Sequence, residues 1–309
     1  MKTLFELLEE ESPIKLRTRV LSKINEVINK LFSSGQKAYT ISIITNVFSP
    51  APFAMLNVQA MQMIEQALIR FRKDNSEDLY VILSTLGGDV HFPELFMSKA
   101  RGLGFKRINV IIPSIAMSAG TLLAMLSDRI IGFSSASIGP VDPQMAIQTP
   151  RGTRVISAIA YKRLIEETLP KLAIEKNLGV DGLSRLYIGQ DLYLYQESLR
   201  SLDYVEHILK TYVRPKLEEK KFEELLNIFL RNVETHGKPL SLQTLKDLGF
   251  NVVFLDSNDK YKELADLIIE YYSRVTKAFT FESTKGVRVL LCLLYTSDAA
   301  DELDGVDLG

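Results

Sequence analysis

Two short segments of the chain carry the residue types that acyl transfer requires. Ser118 follows the apolar run 110–112 within A-M-S-A-G-T, and the pair Gly87-Gly88 follows the apolar run 80–83 within S-T-L-G-G-D. Alone, a serine before a helix is typical of an N-cap, and a glycine pair is typical of a turn. Together they supply a hydroxyl nucleophile and a backbone that can approach a substrate carbonyl with no side chain in the way. The combination predicts a nucleophile beside an oxyanion hole.

The elements around these segments alternate between strand and helix. Short apolar or alternating runs predict strands, and longer amphipathic stretches predict helices between them. This alternation is typical of a mostly parallel sheet covered by helices, in which ligands collect at the carboxyl ends of the strands. We therefore expect an α/β fold. The predicted strands are 38–44, 79–83, 108–112, 129–133 and 252–255, and the predicted helices among them are 56–73, 93–103 and 119–126.

The rest of the chain is expected to surround one core. An amphipathic helix is predicted after Pro13, within a helical extension that covers residues 1–37. From Arg154 onward helices are expected to dominate, with breaks at Pro170 and near Gly182. A single elaborated domain is therefore expected over residues 38–291.

The last segment of the chain has an unusual sequence. Residues 292–309 begin with C-L-L-Y-T-S-D-A-A-D-E, which resembles the conceptual translation of a transposase adapter used in sequencing libraries. We expect this segment to be foreign to the natural protein, and we expect the natural chain to continue beyond Leu291.

The composition excludes several classes of function. The 37 basic and 38 acidic residues give a net charge near zero, so we expect no nucleic-acid partner. No apolar run approaches the roughly 20 residues of a membrane span, so we expect a soluble, cytoplasmic protein without an integral membrane segment. The three histidines and the single cysteine show none of the spacings that mark a metal site, and we expect no metal.

One stretch of the sequence resembles a known group of peptidases. Residues 83–144 contain S-T-L-G-G-D-V, A-M-S-A-G-T-L-L-A, S-D-R-I-I and S-I-G-P-V-D-P-Q in that order. They resemble the clan of Clp proteases and signal peptide peptidase A, and in particular its branch of serine dehydrogenase proteinases. The later T-H-G-K-P-L at 235–240 resembles the T-H-D-x-P-I of that branch, with Gly237 in place of the aspartate. Leu86 stands where the clan usually has proline, and Ala119 where the branch often has glycine, but both residues keep the backbone donor.

The resemblance implies a crotonase-like fold and a serine peptidase that acts on peptides or proteins without a cofactor. It implies that Ser118 is the nucleophile, that the backbones of Gly88 and Ala119 form the oxyanion hole, and that Gly87 shapes the turn. It also implies a ring-like homo-oligomer. Two alternatives remain open: a crotonase-like enzyme that polarises acyl-CoA thioesters, and an inactive subunit that keeps the fold for assembly or binding.

The base that activates Ser118 has more than one candidate. A Clp-type triad would place a histidine shortly after the nucleophile, but none lies between Ser118 and His207. The peptidase A relatives use a lysine tens of residues downstream, which leaves Lys162 and Lys171. Lys162 shares a predicted helical face with apolar residues, and burial among them would favour loss of its proton, so we prefer it.

The alternatives to Lys162 are weaker in the sequence. Lys171 has a glutamate four residues away on either side, which is typical of a solvated, salt-bridged face. Lys162 itself can instead extend its ammonium to water. His236 is typical of a loop histidine, although it could fold back onto the nucleophile, and Asp142 lies between two prolines, where it could simply fix a turn.

Overall fold

The computed structural model of the chain describes residues 13–32, 38–45, 55–71, 78–149, 152–188, 190–233, 235–282 and 288–294. The chain divides into two compact units. The first consists of Met1–Ile138 together with Leu240–Gly309, and the second of Gly139–Pro239.

The first part of the first unit alternates helix and strand, as the sequence predicts. In chain order its elements are α1 (Pro13–Phe32), β1 (Ala38–Ile44), α2 (Val58–Phe71), β2 (Asp78–Ser84), α3 (Phe92–Gly102), β3 (Arg107–Ile112), β4 (Ile115–Ala116), α4 (Ala119–Leu126), β5 (Arg129–Gly132) and β6 (Ser137–Ile138).

The second unit is a hairpin followed by helices. Its elements are β7 (Gln144–Thr149), β8 (Gly152–Ser157), α5 (Ala158–Arg163), α6 (Leu169–Glu175), α7 (Val180–Ile188), α8 (Leu192–Ile208) and α9 (Glu219–Leu226). Strands β7 and β8 pair antiparallel. One π-helical turn, Leu164–Thr168, joins α5 to α6, and two others, Leu209–Val213 and Asn227–Arg231, extend α8 and α9.

The chain then returns to the first unit. The elements there are β9 (Leu240–Ser241), α10 (Leu242–Asp247), β10 (Val252–Phe254), α11 (Lys262–Val275), β11 (Thr276–Glu282) and β12 (Arg288–Leu294).

A five-stranded parallel sheet forms the centre of the first unit. Its strand order is β1-β2-β3-β5-β10, and every neighbouring pair is parallel. All seven residues of β2 are buried, as expected of a parallel strand with both faces covered. A small second sheet, β4-β6-β9, begins directly after β3. The prediction of an α/β fold with a parallel sheet and flanking helices is confirmed.

Helices cover this sheet. On one face, α1 and α11 pack against alternate residues of the strands, including Tyr80, Ile82 and Ile111. The apolar positions of α1 at helical spacing form the buried face of that helix: Val20, Ile24, Val27 and Ile28. Helix α4 contacts β3 and β5, and α3 packs on α4. This layering fixes the carboxyl ends of β2 and β3, which lead into the two segments that carry chemistry.

Several local predictions differ from the structure. Pro170 does not break its helix, because it lies at the start of α6, just after a π-helical turn, where a missing N–H is tolerated. Gly182 lies inside α7, and the break falls earlier, near Asn177, whose φ is 50°. The hairpins β7–β8 and β11–β12 were not predicted. Residues 1–12 and 33–37 of the predicted N-terminal extension, and 295–309 of the predicted foreign segment, lie outside the described residues.

Candidate active site

Ser118 lies on a sharp turn between β4 and α4. Its backbone has φ 51° and ψ −116°, a combination that residues with a side chain rarely adopt. The turn is closed by hydrogen bonds from the Gly120 N–H to the Met117 carbonyl at 2.8 Å and from the Leu122 N–H to the Ser118 carbonyl at 3.0 Å. The Ser118 side chain does not cap α4, so its hydroxyl is not used for the ordinary role of a serine in this position. A strained serine at a strand-to-helix turn is typical of an exposed nucleophile.

The glycine pair after β2 lies against this turn. A Cβ on Gly87 would lie 2.8 Å from the Ser118 Cβ and 3.1 Å from the Met117 carbonyl oxygen. A Cβ on Gly88 would lie 2.1 Å from the carbonyl oxygen of Leu56. Both positions therefore require glycine because other chain segments approach the backbone too closely for a side chain.

Two backbone N–H groups beside Ser118 donate to no acceptor among the described residues. Leu56 binds the glycine turn on one side, donating its N–H to the Gly87 carbonyl at 3.0 Å and accepting from the Asp89 N–H at 2.7 Å. This pattern does not use the N–H of Gly88. The hydrogen bonds of the described residues also leave the N–H of Ala119, the first residue of α4, without an acceptor. The predicted oxyanion donors are thus available to a ligand.

Backbone pairing couples the glycine turn to the serine turn. The Thr85 N–H donates to the Ile115 carbonyl at 3.0 Å, and the Met117 N–H donates to the Thr85 carbonyl at 3.0 Å. Met117, the residue before Ser118, is therefore held in register with the strand end that carries Gly87. Nothing in the sequence indicated that Leu56 binds the glycine turn. The pairing of Thr85 with the serine turn could be suspected only from the position of Thr85 in S-T-L-G-G.

In the second unit, a buried carboxylate faces a histidine. The Asp142 side chain is fully buried, and its Oδ1 accepts a hydrogen bond from the Ile159 N–H at 3.1 Å. Its Oδ2 lies 3.7 Å from Nδ1 of His236, and neither of these two buried atoms has a hydrogen-bond partner among the described residues. A carboxylate behind Nδ1 is the arrangement that orients a catalytic imidazole. The bond from the Ile159 N–H gives Asp142 a structural role at the start of α5, and the contact of its Oδ2 with His236 is additional to that role.

The two candidate lysines are more exposed. The Lys162 side chain is 37% exposed and lies 4.0 Å from Oε2 of Glu166. Lys171 is 77% exposed and lies 3.8 Å from Oε1 of Glu175. The apolar companions predicted for Lys162 are buried, among them Ile165 and Leu169, but the ammonium itself is only partly buried. The assignment of Lys162 as base stays a prediction.

The structure thus brings Gly87 to Ser118 within the first unit and Asp142 to His236 within the second. No group of three or more histidine, cysteine or acidic side chains that could hold a metal ion occurs in the described part of the chain. None of the helices described is both long and apolar enough to cross a bilayer.

Comparisons with known proteins give two relatives from Methanocaldococcus jannaschii. The uncharacterized protein MJ0137 is 28% identical over 206 residues, which cover 67% of this chain and 63% of that protein. The uncharacterized protein MJ1495 is 28% identical over 148 residues, which cover 47% of this chain and 42% of that protein. The chain therefore spans less than two thirds of the length of either relative.

A solved structure and a family model also match. The structure is a mutant of the membrane-bound stomatin-specific protease 1510-N, which is 14% identical with a TM-score of 0.39 over 82% of this chain and 92% of that one. This likeness is too weak to support a conclusion about the chain. The model of the ClpP-like SDH-type serine proteinases matches residues 12–176, more than half of the chain, and includes both turns. The chain belongs to the family of ClpP-like SDH-type serine proteinases.

Proposed function

We propose that this chain is an active serine peptidase that hydrolyses peptide bonds through an acyl-enzyme on Ser118. The observation that carries the proposal is the strained turn at Ser118, whose hydroxyl does not cap α4. Beside it lie the N–H groups of Gly88 and Ala119, which have no acceptor in the part of the chain that the structure describes. Membership of a serine proteinase family supports the same reaction.

The chemistry follows from the roles of these groups. Oγ of Ser118 attacks the carbonyl carbon of the peptide bond and gives its proton to a base, while the carbonyl oxygen becomes an oxyanion. The N–H groups of Gly88 and Ala119 stabilise that oxyanion. The intermediate then expels the amine, which takes the proton from the base and leaves an ester on Ser118. Water, deprotonated by the same base, attacks the ester carbonyl, and the released Ser118 oxygen regains its proton.

Two groups are candidates for the base. An imidazole is largely neutral at pH 7, whereas an ammonium must be stripped of its proton by burial or by neighbouring cations. The Lys162 side chain is 37% exposed, and its ammonium lies 4.0 Å from the Glu166 carboxylate. His236 has a buried carboxylate behind Nδ1, which would leave Nε2 as the accepting nitrogen. These surroundings favour His236 over Lys162, the base preferred from the sequence.

We further propose that the substrate is a peptide or protein and that the chain assembles into a homo-oligomer. Apolar side chains that stand open to solvent in the second unit support assembly, because Ile174, Val180 and Ile188 are each 81% exposed. Light scattering coupled to size-exclusion chromatography measures the mass directly. A monomer at micromolar concentration would contradict assembly.

The reaction is tested with a fluorophosphonate probe and a set of quenched peptides. We expect the probe to label the purified chain on Ser118, located by peptide mapping, and the peptides to be cleaved. Cleavage of acyl-CoA thioesters with no cleavage of peptides would instead indicate the acyl-CoA enzyme. No labelling and no turnover of either substrate would indicate a subunit without activity.

A further inference from the structure

Two buried hydroxyls lie behind the glycine turn. Thr85 is 1% exposed and Thr45 is 7% exposed, and their Oγ1 atoms are 2.7 Å apart. Oγ1 of Thr85 also lies 3.0 Å from the Gly87 N and 3.2 Å from the Gly87 carbonyl oxygen. The Thr85 hydroxyl is therefore in contact with both polar backbone groups of one glycine.

Counting protons assigns a direction to these bonds. The Gly87 N–H donates to Oγ1 of Thr85, which has one hydrogen of its own to give. If Thr45 donates its hydrogen to Oγ1 of Thr85, the Thr85 hydrogen is left for the Gly87 carbonyl. In this arrangement all three contacts of Oγ1 of Thr85 are hydrogen bonds, and the direction of donation from Thr45 sets the direction of the other two.

Fixing the Gly87 carbonyl fixes the Gly88 N–H. The two groups belong to one planar trans peptide unit, so they point in opposite directions. The carbonyl accepts from the Leu56 N–H at 3.0 Å and from the Thr85 hydroxyl. A glycine pair could otherwise rotate this peptide unit at little cost, because glycine tolerates most backbone conformations.

The Thr85 methyl group makes a separate contact. Cγ2 of Thr85 lies 2.4 Å from the place where a Cβ on Gly120 would stand, so it packs directly on the first turn of α4. The hydroxyl thus acts on the glycine turn and the methyl on the helix that follows Ser118. This separation allows the two contributions to be removed one at a time.

We propose that Thr85, with its hydroxyl held by Thr45, is a positioning residue of the oxyanion hole. By tethering Gly87 it keeps the Gly88 N–H directed at the developing oxyanion. The role rests on the proposed peptidase function, but the tether itself is a property of the folded chain.

The kinetic test compares substitutions that separate these roles. Thr85→Val removes the hydroxyl and keeps a methyl toward α4, whereas Thr85→Ser keeps the hydroxyl. We expect Thr85→Val to lower kcat by about tenfold to a hundredfold, less than the loss of an oxyanion donor, with KM changed by less than about threefold. Thr85→Ser should restore kcat, and Thr45→Val should show a smaller loss than Thr85→Val.

Thr40→Val is the matched control. Thr40 is also a buried threonine of β1, and its hydroxyl donates to Oδ1 of Asn25 at 2.9 Å, away from the glycine turn. We expect this variant to keep kcat even if its melting temperature falls. Equal kcat in Thr85→Val and Thr40→Val, or no rescue by Thr85→Ser, would overturn the proposal.

A second measurement does not depend on activity. Amide hydrogen exchange, resolved by NMR, should show the Gly87 N–H protected in the unsubstituted chain. We expect it to exchange at least tenfold faster in Thr85→Val and at an unchanged rate in Thr40→Val. Unchanged exchange in Thr85→Val would refute the tether even in a chain that cleaves no peptide. An inactive chain with the expected exchange would contradict the proposed function and leave the tether standing.

Discussion

Oδ2 of Asp142 and Nδ1 of His236 face each other across 3.7 Å, and both atoms are buried without a hydrogen-bond partner among the described residues. This separation is slightly longer than a hydrogen bond. Catalytic hydrogen bonds are often long in unliganded structures and shorten in the reacting complex. Buried polar atoms without partners are uncommon, so the pairing calls for a functional explanation.

We expect His236→Ala to lower kcat/KM for a peptide by about 10²- to 10⁴-fold, because it would remove the base that we propose for Ser118. Lys162→Met should cost less than about threefold, since Lys162 is partly exposed beside Glu166. Peptide turnover and the rate of fluorophosphonate labelling both measure the effect. The pH profile is an independent check, because a histidine base gives activity that rises near neutral pH and a lysine base gives activity that rises toward alkaline pH.

Lys171→Met is the control for loss of a lysine, because its side chain is 77% exposed. If Lys162→Met inactivates the chain and His236→Ala does not, the lysine assignment made from the sequence is correct. Asp142→Asn should also reduce peptide turnover, because the Asp142 carboxylate would no longer orient the His236 imidazole.

We expect Ser118→Ala to abolish labelling and peptide cleavage, because it removes the nucleophilic oxygen and little else. Its melting temperature should stay within a few degrees of that of the unsubstituted chain. Ser114→Ala is the control, since Ser114 is an exposed serine four residues earlier. Residual peptide cleavage at the original rate in Ser118→Ala would place the reaction elsewhere.

We expect Gly88→Ala to lower kcat/KM by at least about a hundredfold, because the new methyl group would overlap the Leu56 carbonyl and move an oxyanion donor. Gly102→Ala is the matched control. A Cβ there meets no atom within 4 Å, and alanine is the better helix former, so this variant should be active and equally or slightly more stable. Normal turnover by Gly88→Ala would show that the glycine turn has no part in catalysis.

Glu206 gives a prediction for acid stability in the second unit. Burial alone would raise the pKa of Glu206, but hydrogen bonds from Lys210 and Arg231 outweigh it and hold the pKa below its ordinary value. The stabilisation is therefore fully present above the unfolded pKa, about 4.3, and is lost as the pH falls through the folded pKa. Glu206→Gln should lower the free energy of unfolding by about 1–2 kcal/mol at pH 7.

Urea unfolding at pH 7, 5 and 3 measures this dependence. The difference between Glu206→Gln and the unsubstituted chain should narrow at pH 3. Glu197→Gln is the control on the same helix, because its ion pair with Arg200 is exposed and should contribute little. A difference that is the same at all three pH values would contradict the assignment.

Periodicity predicted the parallel sheet well because its strands are short apolar runs between helices. Strand β1 and helix α4 were predicted with the bounds that the structure has, 38–44 and 119–126. Hairpin β7–β8 was missed because most of β8 is exposed, which leaves no apolar alternation to detect. In the second unit, the helix across Pro170 could not be foreseen either, since the π-helical turn before it depends on packing rather than on propensity.

The site was predictable only where its residues are close in sequence. Ser118 and the glycine pair stood out because each lies in a short motif at a strand end. Asp142 and His236 are far apart in the chain, and their contact follows from the fold of the second unit. The contact between the Thr45 and Thr85 hydroxyls could not be predicted either. It depends on the register of the parallel strands β1 and β2, in which Ile44 lies opposite Ser84.

The backbone conformation of Ser118 lowers the stability of the fold. Its φ of 51° lies where a residue with a Cβ is disfavoured, typically by about 1–3 kcal/mol, and where glycine is not. Ser118→Gly should therefore melt at a higher temperature than Ser118→Ala, although both are inactive. If Ser118 is the nucleophile, a chain released from selection for peptidase activity could gain stability by replacing this serine with glycine.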